Sequence, residues 1–213
     1  MAQSLKNLAE FKNSMLSKPK YKMCRRLGAG VYEKCQTQKF VASEGRNKKD
    51  KKRKAPSIYS TQMLEKQKVR FSYGINERQL QKYVDMAQHQ KTSPVSDKLY
   101  ELLETRLDNV VYRLGWAGTR ALARQMCSHG HILVNGKKLK VPSHIVSIGD
   151  TITPREGSRS SVLFTELPVR LKSYSSPNWL KTELGELKGT LSGVPKNVDG
   201  YLDLNTVLEF YSR

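Results

Sequence analysis

Gly115, Thr119, Gly130, Asn135 and Gly136 leave the backbone between Arg106 and Pro154 few conformational choices. Leu99, Leu102, Leu103, Leu107, Val110, Val111 and Leu114 form an apolar stripe at helical spacing, with Arg106 interleaved. Gly115 suits the left-handed residue that closes such a helix. Thr119 supplies an N-cap for a second helix over 120–129, which Gly130 terminates. Asn135-Gly136 then stands between two β-prone runs, and a type I′ turn requires positive φ at both central residues. Ile145, Val146 and Ile148, Gly149-Asp150 and Ile152 predict a short strand, a turn and another strand. The segment reads as a helix–helix–hairpin module.

The flanks are helical before it and irregular after it. Ser60 or Thr61 is the expected N-cap of a helix through Leu64, and Tyr73-Gly74 breaks that pattern. Leu80, Tyr83, Val84 and Ala87 recur at i, i+3, i+4 and i+7 in a second helix starting at Asn76. Thr92-Ser93-Pro94 closes it, because proline lacks an amide donor. Pro168, Pro177 and Pro195 punctuate the C-terminal stretch, Trp179-Leu180 offers a packing anchor, and Asn205 to Tyr211 predicts a last helix.

Charge narrows the partner. Lys and Arg number 38 against 19 Asp and Glu, a formal net charge of +19 over 213 residues. Such an excess repels itself in the folded state, so a polyanion is the natural counterpart. No run approaches the roughly 20 apolar residues of a membrane-spanning helix, and nucleic acid leads the candidates. Gly45 to Pro56 holds seven basic residues and one acid without apolar periodicity, so it is expected to be extended without a partner, and residues 1–56 to be loosely organised. Cys24, Cys35 and Cys127 cannot complete a disulfide framework, and no signal-peptide pattern precedes them, which points to a reducing compartment. Cys127 is expected to be a small packing residue.

On the 120–129 helix, Arg120, Arg124 and Ser128 share one face at i, i+4 and i+8, while Ala121, Leu122 and Met126 suit packing. That basic face is either an ordinary solvated surface or a phosphate-binding one. Lys137, Lys138 and Lys140 on the neighbouring hairpin carry the same sign of charge and favour the second. Glu104 and Asp108 read as intrahelical partners of nearby arginines.

The run Arg106-Leu107-Asp108-Asn109-Val110-Val111-Tyr112-Arg113-Leu114-Gly115, with Thr119-Arg120-Ala121-Leu122-Ala123-Arg124-Gln125 and His129-Gly130-His131-Ile132-Leu133-Val134-Asn135-Gly136, resembles the RNA-binding domain of small-subunit ribosomal protein four. Pseudouridine synthases, tyrosyl-tRNA synthetases and a heat-shock RNA-binding protein share that domain, so alone it implies structured RNA. Leu64 to Arg70, Tyr73-Gly74 and Glu77-Arg78-Gln79 resemble the ribosomal protein's own helical domain, and Pro177 to Leu180 and Leu208 to Arg213 its C-terminus. By that resemblance the chain is identified as a member of the ribosomal family, of bacterial or organellar type.

The implied fold class is α+β, a discontinuous small helical domain with an inserted helix–helix–β-hairpin RNA-binding domain and an irregular basic N-terminal extension. Its expected parts are the extension over 1–56, a helical domain over 57–96 with 190–213, and an RNA-binding domain over 97–189 with a core at 105–154. The implied rRNA contacts are Arg106, Arg113, Thr119, Arg120, Arg124, Gln125, Ser128, His129, Lys137 and Lys138, with Lys66, Lys68 and Arg70 from the helical flank. The family also implies early binding at a junction in the 5′ domain of small-subunit rRNA, nucleation of assembly, an influence on decoding accuracy and contact with ribosomal protein five. Arg46, Lys48, Lys49, Lys51, Lys52, Arg53 and Lys54 fall where the family lines the mRNA entry path, although the usual Pro-Gly-Gln-His-Gly stretch is missing.

Some relatives bind zinc through four N-terminal cysteines. Cys24 and Cys35 match two of those positions, Tyr21 stands at the first, and His89, His129, His131 and His144 are distant in the chain. A closed site needs four ligands, so the expectation is no metal and no cofactor. Met1 to Ser17 extends beyond the family's usual start, and Leu5, Leu8 and Phe11 there allow a short amphipathic helix. An RNA chaperone or a subunit of an RNA-modifying enzyme could use the same module, but no P-loop or Gly-rich nucleotide fingerprint is present. The expected protein is not an enzyme, is not a homo-oligomer, has no membrane partner, and works in cytoplasmic rather than organellar ribosomes.

Overall fold

The computed structural model describes residues 20–47, 57–90, 93–165, 167, 171, 174–183, 187–197 and 200–212. The chain divides into two compact units, residues 1–72 and 73–213. Met1 to Ser17, with its expected amphipathic helix, and Lys48 to Lys54 of the basic run lie outside the described residues.

The described part of the first unit is more ordered than its composition suggests. Helix α1 (Lys20–Leu27) leads through two single 3-10 turns, Ala29–Val31 and Glu33–Cys35, to α2 (Gln38–Asn47). Gly28 makes the corner, at φ 103°. Cys24 and Cys35 are buried against Phe40, and Tyr21 stacks on Phe40 with centroids 5.5 Å apart. The two cysteines are joined as a disulfide with Cα atoms 6.4 Å apart, a single bridge where the sequence suggested only that no disulfide framework could be completed; Cys127 alone stays free. Residues 20–47 are therefore not irregular, because a few apolar side chains and a crosslink give these short helices a common core. Helix α3 (Ile58–Tyr73) begins earlier than expected. The Ser57 hydroxyl, rather than Ser60 or Thr61, accepts a hydrogen bond from the Ser60 amide at 3.2 Å. Leu27, Val31 and Phe71 make a second small cluster.

In the second unit, α4 (Glu77–His89) opens with a capping box in which Asn76 and Gln79 satisfy each other's amides. The long stripe expected from Leu99 to Leu114 is two helices, α5 (Val95–Glu104) and α6 (Leu107–Arg113). The break falls at Thr105-Arg106. Arg106 adopts extended backbone (φ −62°, ψ 137°) and forms an isolated antiparallel bridge with Ile145. The Val146 amide donates to Thr105 O and the Leu107 amide to His144 O, each at 2.8 Å. The strand expected over Ile145 to Ile148 shrinks to that bridge, since an interhelical break offers too little extended backbone to pair with. Ile148 is left exposed.

Thr119 caps α7 (Arg120–His129) by accepting from the Leu122 amide, and Gly130 ends it at φ 75°. Strands β1 (Ile132–Val134) and β2 (Lys137–Lys138) flank Asn135 and Gly136, whose φ values are 50° and 76° as the turn requires. Next come β3 (Thr151–Pro154), short helices α8 (Glu156–Arg159) and α9 (Val162–Thr165), and a hairpin absent from the sequence reading, β4 (Leu180–Glu183) and β5 (Lys188–Leu191). All five strands make one antiparallel sheet in the order β2-β1-β3-β5-β4. The last helix, α10 (Leu204–Tyr211), packs against α4 and α5, with the Tyr211 hydroxyl donating to Glu77 Oε1 at 2.7 Å.

One face of the sheet closes over α6 and α7. Leu107, Val110, Val111 and Leu114 meet Ala123, Met126 and Cys127, the strand residues Ile132, Val134, Ile152, Leu180 and Leu191, and Phe164, Leu167 and Leu171. Contact is close enough that a Cβ at Gly189 would stand 2.6 Å from Leu114. Gly189→Ala is therefore expected to destabilise the chain by about 1–3 kcal/mol through overpacking. Gly157, with nothing within 4 Å of its Cβ position, is the control. Equal urea midpoints for the two alanine variants would refute this packing.

Candidate nucleic-acid interface

The helices of the module are held by two buried carboxylates. Glu104, fully buried at the end of α5, accepts through Oε1 from the Tyr73 hydroxyl (2.7 Å) and Arg113 Nη2 (2.8 Å). Its Oε2 accepts from Asn109 Nδ2 (2.8 Å) and Arg113 Nε (2.9 Å). Asp108, in the first turn of α6, accepts Arg106 Nε at 3.0 Å and Nη2 at 2.8 Å. Arg124 of α7 reaches the same carboxylate through Nε at 2.8 Å and Nη2 at 2.7 Å. Arg124 also donates to the carbonyls of Tyr73 and Gly74.

Arg113 and Arg124 reach these carboxylates from other helices, which corrects the reading of Glu104 and Asp108 as intrahelical partners, while Arg106 reaches Asp108 from the cap of the same helix. The sequence did not mark Tyr73, Tyr83 or Asn109 as members. Tyr83 accepts a hydrogen bond from Arg106 Nη1 at 2.6 Å, and Asn109 Oδ1 one from Arg120 Nε at 2.8 Å. The Arg120 guanidinium lies 4.4 Å from the Tyr112 ring centroid and 5.0 Å from that of Tyr73.

The expected contact residues thus fall into two groups. Arg106, only 2% exposed, is off the surface, and Arg113, Arg120 and Arg124 have donors engaged inside the protein. Thr119 serves as the cap of α7. By contrast, Gln125, Ser128, His129, Lys137, Lys138 and Lys140 are exposed. The outward face of α7 is Ala121, Gln125, Ser128 and His129, so the packing and exposed faces are rotated from the expected ones. The Lys138 stem crosses Gly130, where any Cβ would overlap it. In the first unit, Lys66 is buried, Lys68 pairs with Glu65 at 3.3 Å, and Arg70 donates to Gln67 at 3.4 Å. Arg46 belongs to α2.

The surface sign has a simple origin. No Asp or Glu occurs between Asp108 and Asp150, and the two nearest inward acids are surrounded by four arginines. Burial alone would raise the Glu104 carboxyl, but Arg113, the charge of Arg120 and the Tyr73 hydroxyl hold it below the ordinary carboxylate range. Arg113 and Arg106 are shifted up by their carboxylates despite desolvation, and Tyr73 is shifted up by burial and by Glu104. Burial pushes the Cys127 thiol up to about 12, which leaves it an inert packing group.

A carboxylate held down in the folded state contributes stability above its unfolded pKa, and that contribution is lost as pH falls through the folded value. Glu104→Gln is accordingly expected to cost about 3 kcal/mol or more at pH 7, because it leaves Arg113 without a buried counter-charge. The gap to the parent chain should narrow as pH drops below about 4, near the unfolded carboxylate value. Chemical denaturation at both pH values checks this, and a gap independent of pH would refute it. A thiol reagent should label Cys127 only upon unfolding; rapid labelling of the native chain would contradict its burial.

Comparison with known proteins accords with this geometry. Residues 105–152 match a family model described as S4 domain, and residues 15–104 one described as Ribosomal protein S4/S9 N-terminal domain. The small ribosomal subunit protein uS4A of Alkaliphilus oremlandii is 40% identical over 200 residues, covering 90% of this chain and 96% of its own. Protein uS4 of Aquifex aeolicus is 40% identical over 205 residues, covering 92% and 97%. Protein uS4 of a Roseiflexus species (strain RS-1) is 41% identical over 203 residues, with the same coverage. The chain belongs to the uS4 family of small ribosomal subunit proteins, a family of ribosomal proteins and not of enzymes.

Proposed function

We propose that this chain is a structural component of the small ribosomal subunit that binds the 5′ domain of its rRNA and helps nucleate assembly. The observation that carries the reading is the exposed face of α7 beside the hairpin lysines. Ala121, Gln125 and Ser128 have short or uncharged side chains that let a nucleic-acid backbone come close, and Lys137, Lys138 and Lys140 flank them without an intervening acid. Family membership supports RNA of the small subunit as the partner.

Recognition rests on the shape of an RNA junction, since side chains cannot enter the narrow major groove of A-form RNA. Lysines and polar groups fix phosphates and riboses in register on a rigid two-helix platform. The finer roles follow from the family resemblance: contact with ribosomal protein five, an influence on decoding accuracy, and a basic lining of the mRNA entry path by Arg46, Lys48, Lys49, Lys51, Lys52, Arg53 and Lys54. The protein works as a single copy within the ribosome.

Purified chain is expected to bind a transcribed 5′ domain of bacterial small-subunit rRNA with an affinity that falls steeply with salt. Lys137→Ala and Lys138→Ala should each flatten the log–log salt slope by about 0.9, the value for one duplex phosphate contact. Binding that ignores salt, or no binding to this RNA, would overturn the reading.

A further inference from the structure

The sheet brings a second basic segment beside the first. Ile132 pairs with Pro154, so the chain entering β1 lies next to the chain leaving β3. The Arg155 amide donates to His131 O at 2.8 Å, and His131 Nδ1 stands 2.9 Å from Ser158 Oγ. The rings of His129 and His131 are 6.1 Å apart, and the Lys138 stem crosses the Gly130 between them. Lys138, the two histidines and Arg155 therefore share one border of the sheet. Arg159 extends it, because Arg155 and Arg159 bracket the single turn of α8 and both are exposed.

The arginines of this unit differ in what they have left to give. Arg106, Arg113 and Arg124 would have to abandon a buried carboxylate to grip a phosphate, and Arg120 its place between two tyrosine rings. Among the described residues, the side chains of Arg155 and Arg159 have neither an ion-pair nor a hydrogen-bond partner. A phosphate would displace only water from them, and a guanidinium can hold it through two parallel hydrogen bonds. Glu156 is the one acid on this turn.

We propose that Arg155 and Arg159 are phosphate-contacting residues, which carry the RNA surface past residue 152, where the S4 domain match ends, onto α8. The proposal rests on the rRNA reading above and assigns it a second contact segment. These two side chains and Lys138 grip successive phosphates along the sheet border, while the buried arginines shape the platform.

The test uses the full chain and the transcribed 5′ domain of a bacterial small-subunit rRNA. An Arg155→Ala/Arg159→Ala double variant should keep the parent melting temperature, bind more weakly at low salt, and show a log–log salt slope flatter by about 0.9 per lost contact. Arg155→Glu/Arg159→Glu should weaken binding further, and Arg155→Lys/Arg159→Lys should restore most of the slope. If the parent chain binds and the alanine and glutamate variants bind with the same affinity and slope, the proposal is wrong and the rRNA reading stands. If the parent itself does not bind, the rRNA reading fails and the proposal with it.

Discussion

Two carboxylates removed from water set the geometry of the second unit. An uncompensated charge at Glu104 or Asp108 would cost several kcal/mol, so each must be surrounded by donors. The sequence supplies four arginines, and their placement fixes how the helices meet. Arg113 returns from the end of α6 to Glu104, while Arg124 ties α7 both to Asp108 and to the carbonyls of Tyr73 and Gly74. Arg106 sits in the interhelical break and fills Asp108 from the other side. With every oxygen of both carboxylates accepting hydrogen bonds, this lattice gives α6 and α7 a defined relation that apolar packing alone would leave looser.

The same lattice separates two uses of positive charge. Its guanidinium groups outnumber its carboxylates, so they contribute to the field outside although their donors face inward. Other side chains make up the exposed polar and basic surface. Gln125, Ser128 and His129 lie outward on α7, the lysines stand on the neighbouring hairpin, and Arg155 and Arg159 lie on the turn after β3. An RNA that approached this surface would meet short polar groups on the helix and cations along its border.

A different solution holds the first unit. Residues 20–47 contain too few apolar side chains for a large core, and small units of this kind are commonly stabilised by a crosslink or metal. Here the Cys24–Cys35 disulfide, with the Tyr21–Phe40 stack beside it, anchors α1, the 3-10 turns and α2.

Features governed by local rules were legible in the chain alone. Thr119, Gly130 and Asn135-Gly136 act as caps and turns as read, because such signals depend on a few neighbouring backbone groups. The helix–helix–hairpin order followed from those signals, and the α+β class from the family resemblance. Tertiary structure decided the rest. The stripe from Leu99 to Leu114 looked continuous because Arg106 was the only interruption, and the distant Tyr83 and Ile145, with the neighbouring Asp108, make the break favourable. Strands β4 and β5 escaped notice because Lys181, Thr182, Glu183 and Thr190 carry little apolar signal; it is Leu180, Leu191 and the absence of a side chain at Gly189 that fit them over Leu114. For the interface, the sequence determined that this module is basic and free of acids from Asn109 to Gly149. Which cations face water was decided by the fold, since a guanidinium within reach of a buried carboxylate is drawn to it and one without such a neighbour stays outside.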